Sequence, residues 1–186
     1  SWDGKNFVYN PFSILNLFTE RSFGNFWFSS GTPTFLVKLI KNRQSQITYF
    51  ENMAVRSYAF DSFDIERMDV PALLFQTGYL TIKRISVNAK TFVKTYYLSY
   101  PNQEVRDSFL THLLGEYTQK DLNVGTQSLE RLNEAIENDD IDRFIREIQS
   151  LFASIPHHIF IGNKEAYYHT VIYLLLKLNG AEIKAE

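Results

Sequence analysis

Two stretches near the start of the chain share one pattern of polar and apolar positions. In YNPFSILNLFTE, Asn10 and Pro11 precede the apolar residues Ile14, Leu15, Leu17 and Phe18; in GTPTFLVKLIKN, Thr32 and Pro33 precede Phe35, Leu36, Leu39 and Ile40. A capping side chain before Pro predicts a helix start. The side chain satisfies an orphan N–H, and Pro supplies a helical φ without needing a donor. Between the two, NFWFSSG alternates aromatic and small residues, as in a short buried strand or tight connector.

Further along, DVPALLFQTGYLTIKRI predicts a short helix begun by Asp69 and Pro71, stopped at Gly78 and followed by a strand through Ile85. SVNAK is a turn, and TFVKTYYLSY a second strand ended by Pro101 and Asn102. In QEVRDSFLTHLLGEYTQ, Val105, Phe109, Leu113 and Tyr117 recur every four residues with Leu110 and Leu114 beside them, which predicts a helix with one apolar stripe. Helix, two-stranded ribbon and helix is the order of winged-helix modules.

After DLNVGTQ the pattern is helical to the end. SLERLNEAIENDD is a short helix. DDIDRFIREIQSLFASIP is a longer one, with Ile141, Phe144, Ile145, Ile148, Leu151, Phe152 and Ile155 on one face, Asp139 or Asp140 at its start and Pro156 closing it. The last helix carries Tyr167, Tyr168, Val171, Ile172, Leu174, Leu175, Leu176 and Leu178 around most of its circumference, with Gly180 as its stop and a strand beginning at Ala181. A helix apolar on nearly every side expects cover on every side. Tyr168, Ile172 and Leu175 are therefore candidate interface residues. Their cover would come from a second copy, through this helix and the AEIKAE edge, or from the rest of a longer protein.

Composition narrows the function classes. The 186 residues are 45% hydrophobic and 22% charged, with net charge −2, a globular balance without a global footprint for nucleic acid or membrane. The absence of cysteine excludes disulfides, thiolate metal sites and Cys nucleophiles, and it fits a cytoplasmic protein. The longest apolar run, Val171 to Leu176, is too short to cross a bilayer, and SWDGKNF has no signal-peptide pattern. A first residue Ser fits a segment from the middle of a longer protein. From Lys120 onward seven Lys and Arg stand against eleven Asp and Glu, so this part is acidic.

Candidate chemistry is sparse. Gly31-Thr32-Pro33 is no phosphate loop, because Pro lacks an N–H and no Gly-Lys-Ser/Thr follows; G-x-S-x-G and H-E-x-x-H do not occur. His157, His158, Glu165 and His169 form the one cluster of metal-ligand residue types. Glu165 and His169 stand four apart, which fits a ligand pair or an ordinary polar pair at a helix end. From Tyr79 to Tyr100, Lys83, Arg84, Lys90 and Lys94 are interleaved with aromatics and no acidic residue. They are candidate contacts to a phosphate backbone, DNA included, and equally the Lys-guarded edges of a solvated ribbon.

The segments YNPFSILNLF, FWFSSGTPTFLVKLIK, LLFQTGYLTIKRI, YYLSYPNQEVRDSF, SLFASIP and EAYYHTVIYLLLKLNGAEIKAE, in this order, resemble a bacterial family with an N-terminal AAA-ATPase-like domain and a C-terminal nuclease domain of the PD-(D/E)xK superfamily. The resemblance implies an α+β, predominantly helical fold in three parts. Residues 1–64 would be the end of the ATPase-like domain, 65–120 a winged-helix-like module, and 121–186 a helical connector with the first helix of the nuclease. The family's P-loop would precede Ser1, and its nuclease carboxylates would follow the strand at Ala181. ATP and Mg²⁺ are thus implied for the longer protein and no cofactor for this stretch. Glu165 matches an acidic residue that helps bind the metal in some members of the superfamily. The expected role is a non-catalytic connector or regulatory region acting beside the missing ATPase and nuclease portions. The alternative is a protein-interaction module built on the apolar last helix.

Overall fold

Asn10 accepts a hydrogen bond from the Ser13 amide at 3.1 Å and Pro11 occupies the first turn, so the first helix starts where its capping pattern places it. The computed structural model describes residues 9–22, 26, 34–43, 47, 50–60, 69–120, 122–156 and 164–183. Among them the order is α1 (Pro11–Glu20), α2 (Thr34–Asn42), β1 (Met53–Arg56), a 3₁₀ turn (Ser57–Phe60), α3 (Val70–Gln76), β2 (Thr81–Val87), β3 (Lys94–Ser99), α4 (Gln103–Thr118), α5 (Leu122–Glu137), α6 (Ile141–Ala153) and α7 (Lys164–Leu178). The fold is α+β and mostly helical. Thr32, Pro33, His157 and His158, the end of the AEIKAE segment and all of NFWFSSG except Phe26 lie outside the described residues. The chain divides into two compact units, Ser1–Phe109 and Leu110–Glu186, with the boundary inside α4.

The first unit is built on an antiparallel sheet of order β1–β3–β2. The expected two-stranded ribbon therefore carries a third strand. Met53 pairs with Leu98, Ala54 with Tyr97, Val55 with Tyr96 and Arg56 with Thr95. An isolated hairpin is marginal in water, and β1 gives β3 a partner on its second edge. Alternation along β1 and β3 puts Val55 and Leu98 in the core, with Leu36, Val37 and Ile40 of α2 and Ala72, Leu73 and Leu74 of α3 also buried. Phe60 of the 3₁₀ turn sets its edge on both Phe75 and Tyr96, ring centroids 5.3 Å away in each case, which ties the turn to α3 and β3. Tyr79 lies against Phe109 at 5.0 Å.

α3 begins after Asp69, which has the extended backbone of a cap but makes no side-chain capping bond. It ends where Gly78 takes φ 85°. The Tyr79 amide reaches the Leu74 carbonyl and the Gly78 amide the Phe75 carbonyl. This double closure requires a left-handed residue at its pivot, which Gly supplies without a Cβ clash. Asn102 caps α4 by accepting from the Val105 amide at 2.9 Å. The whole α4 stripe, Val105, Phe109, Leu110, Leu113, Leu114 and Tyr117, is buried.

In the second unit, α5 starts at Leu122 and runs through Gly125, where the sequence predicts a break at DLNVGTQ. Gly inside a helix costs only about 1 kcal/mol relative to Ala, which packing of Ser128, Leu132 and Ala135 outweighs. Asp139 adopts a left-handed conformation that reverses the chain, and Asp140 caps α6 by accepting from the Arg143 amide at 2.8 Å. The ion pairs Arg143–Glu134 at 2.6 Å and Arg131–Glu147 at 3.2 Å set α5 and α6 antiparallel. On α6 the apolar face is only partly covered: Leu151 and Ile155 are buried, while Ile141 (71%) and Ile145 are exposed.

α7 closes on Gly180 at φ 81°, with the Ala181 amide on the Leu176 carbonyl and the Gly180 amide on the Lys177 carbonyl. Its Tyr167 hydroxyl donates to the Tyr117 carbonyl of α4, and Tyr168 packs edge-on against Phe152 of α6 at 4.7 Å.

Candidate nucleic-acid interface

The β2–β3 hairpin holds all four basic residues that the sequence singles out, and its register decides which of them act together. Arg84 pairs with Tyr97, Ile85 with Tyr96, Ser86 with Thr95 and Val87 with Lys94. Successive side chains alternate across a strand. Leu98, Tyr96 and Lys94 thus share the core-side face of β3, and Tyr97 and Thr95 the outer face. Arg84 and Ser86 join Tyr97 and Thr95 from β2, and Arg56 joins them from β1 through its pairing with Thr95. The outer face therefore presents two guanidinium groups, a phenol and two hydroxyls.

A bulge between Ile82 and Arg84 is what brings Arg84 to this face. It inserts Lys83 as an extra residue without a partner in the ladder, so the strand changes phase there. The Lys83 ammonium donates to the Pro101 carbonyl at 3.3 Å, near the start of α4. Lys94 lies on the opposite face from Arg84, and Lys90 lies in the exposed connecting turn. The four basic residues are thus spread around one hairpin instead of lining one surface.

The guanidinium carbon of Arg84 sits 3.6 Å from the centroid of the Tyr97 ring. Arg over an aromatic face is attracted by the ring quadrupole, and its N–H edges stay available to a planar anion. A hydrogen bond from Ser86, together with one from Arg84 and its positive charge, holds the Tyr97 phenol below the usual tyrosine range.

The turn is ordered by Asn88. Its side-chain oxygen accepts from the Lys90 and Thr91 amides at 2.9 and 3.1 Å, its carbonyl accepts from the Phe92 amide at 2.8 Å, and its own amide donates to the Val93 carbonyl. Arg56 and Phe92 are the residues that sequence reasoning missed. Arg56 joins the site only through a strand pairing distant in sequence, whereas Phe92 was visible as an aromatic next to a turn between lysines.

The other candidates fall elsewhere. Glu165 and His169 are both exposed on the first turns of α7. Among the described residues no group of three or more His, Cys, Asp or Glu is placed to hold a metal. Leu175 is 1% exposed and is covered by the chain itself, as are Val171 and Leu174; Ile172 is half-buried and Tyr168 is 36% exposed. No helix among the described residues is long and apolar enough to cross a membrane.

A protein of Azotobacter chroococcum mcd 1 described as "Uncharacterized protein in vnfD 5'region" is 34% identical over 191 residues, an alignment covering 100% of this chain and 36% of that protein. The chain spans about a third of the length of the curated relative it matches. No family model matches the chain, and no solved structure matches it.

Proposed function

We propose that the three-stranded sheet and its hairpin form the nucleic-acid-binding face of a winged-helix-like module within a longer protein. The module would serve as a non-catalytic connector. The observation that carries this reading is the composition and register of the hairpin. From Tyr79 to Tyr100 it has four basic residues and no carboxylate, and Arg84, stacked on Tyr97, shares its outer face with Arg56. Such a surface neutralises phosphates without reading bases, and its affinity falls with salt as counterions are released.

The resemblance of the quoted segments to ATPase–nuclease proteins supports placing this module between an ATPase portion and a nuclease portion. ATP and Mg²⁺ then belong to those portions. The much greater length of the Azotobacter relative is compatible with such an arrangement.

The test is fluorescence anisotropy of a labelled oligodeoxynucleotide titrated with the 186-residue chain at several salt concentrations. Binding should be sequence-tolerant and steep in salt. A variant with Ser at Lys83, Arg84, Lys90 and Lys94 should bind far more weakly, with a salt slope lowered by about 3 at roughly 0.7 per phosphate on a single strand. Identical binding by that variant, or none by the native chain at low salt, refutes the reading.

A second reading, a protein-interaction module, is favoured by the exposed apolar residues Ile136 and Ile141 at the α5–α6 corner and Tyr168 on α7. It predicts self-association in sedimentation velocity that Ile141→Lys abolishes. The same variant should leave oligonucleotide binding untouched if the first reading holds alone.

A further inference from the structure

Phe92 stands at the tip of the hairpin with φ 56° and 79% of its surface exposed. Both properties run against expectation. The left-handed region favours Gly, Asn or Asp, and a bulky residue there is held in place at a cost. The described non-glycine residues with positive φ are Arg21, Asn52, Phe92, Gln119 and Asp139, and Phe92 is the one apolar member. A Gly or Asn would suit this turn better and would not place a ring in water. The turn is nevertheless well determined, because the four hydrogen bonds around Asn88 hold the backbone that carries the ring. A strained, over-determined position points toward function.

The surroundings indicate what the ring would meet. Lys90 lies two residues before Phe92 and Lys94 two residues after it, both exposed, and no acidic residue occurs between Tyr79 and Tyr100. An exposed aromatic face flanked by ammonium groups is the pairing used by sequence-tolerant single-strand binders, where bases stack on rings while cations follow the phosphates. We infer that Phe92 stacks on an unpaired base of a single-stranded nucleic acid, with Lys90 and Lys94 on the phosphates to either side. This rests on the nucleic-acid reading above and assigns the tip a role that the outer face, with Arg84 and Arg56, does not fill.

The variants are Phe92→Gly and Phe92→Trp in the full chain, with labelled oligothymidylate and a blunt duplex of equal length as probes. Phe92→Gly relieves the backbone, so its melting temperature should equal or exceed that of the native chain. Its affinity for the single strand should fall on the order of tenfold with the salt slope unchanged, because stacking releases no counterions. Phe92→Trp should retain affinity, and the emission it adds to that of the two native tryptophans should be quenched by oligothymidylate.

If Phe92→Gly binds the single strand as tightly as the native chain while the four-residue Ser variant does not, this inference is wrong and the broader reading survives. Absence of binding by the native chain removes both. Equal loss on duplex and single strand overturns stacking on an unpaired base. So does added emission in the Phe92→Trp variant that responds to vesicles of anionic phospholipid and not to oligothymidylate, the result expected of a membrane-seeking tip.

Discussion

The guanidinium of Arg84 lies over the ring of Tyr97, 3.6 Å from its centroid, across a pair of neighbouring strands that place the two residues directly opposite one another. The pair links register to chemistry. The bulge at Lys83 sets the phase of β2, the phase puts Arg84 on the outer face, and there its charge acts on the phenol.

Replacing Arg84 with Ala should accordingly raise the titration of Tyr97 toward the ordinary tyrosine range, since a hydrogen bond and a favourable charge are lost together while the Ser86 bond remains. Ser86→Ala should raise it as well. A pH titration followed by NMR of the Tyr97 ring resolves the two; an unmoved titration in the Arg84 variant means the stack does not persist in solution.

The second unit should lose stability in alkali. Burial pushes the phenols of Tyr117 and Tyr167 up to about 12, with the neighbouring tyrosines adding to the effect at Tyr167. The ordinary value is about 10. Both folded pKa values lie above the unfolded one, so the native state binds more protons between these limits. The stabilising contribution is complete below pH of about 10 and is lost as the pH rises through about 12. Denaturation midpoints across this range should fall more steeply for the native chain than for Tyr167→Phe. That variant should also cost about 1 kcal/mol at neutral pH, through the lost bond to the Tyr117 carbonyl.

Leu175 should behave as a core residue. Leu175→Ala is expected to destabilise the chain by about 2–5 kcal/mol, the range for a buried leucine, whereas Tyr168→Ala should cost about 1 kcal/mol through its edge contact with Phe152. Chemical denaturation checks both. A near-neutral Leu175→Ala would return this residue to the list of interface candidates.

Two glycines should respond in opposite directions to Ala. A Cβ at Gly125 meets nothing within 4 Å in a helix interior, so Gly125→Ala should stabilise by about 0.5–1 kcal/mol. Gly180 sits at φ 81°, and although space is open there, Gly180→Ala should destabilise by about 1–2 kcal/mol because the left-handed backbone is strained for any residue with a Cβ. Thermal melts of the two variants on either side of the native midpoint are the expected result.

Much of the local architecture is legible in the sequence. Asn10, Asn102 and Asp140 cap the helices they precede, Gly78 and Gly180 end the helices they follow, and every position of the α4 stripe is buried. These features are made by residues within about five positions of one another, so the sequence alone determines them. Other features needed the tertiary structure. β1 is four residues long, with no alternation long enough to mark it, and it exists as a strand because β3, some forty residues away, offers an edge. That pairing adds Arg56 to the outer face, and a one-residue bulge separates Lys83, Arg84 and Lys94, which look equivalent in the sequence. The all-round apolarity of α7 showed that it needs cover but not which residues receive it. Leu175 is buried and Tyr168 is not, because burial depends on which neighbours pack against each side of the helix, and those neighbours come from distant parts of the chain.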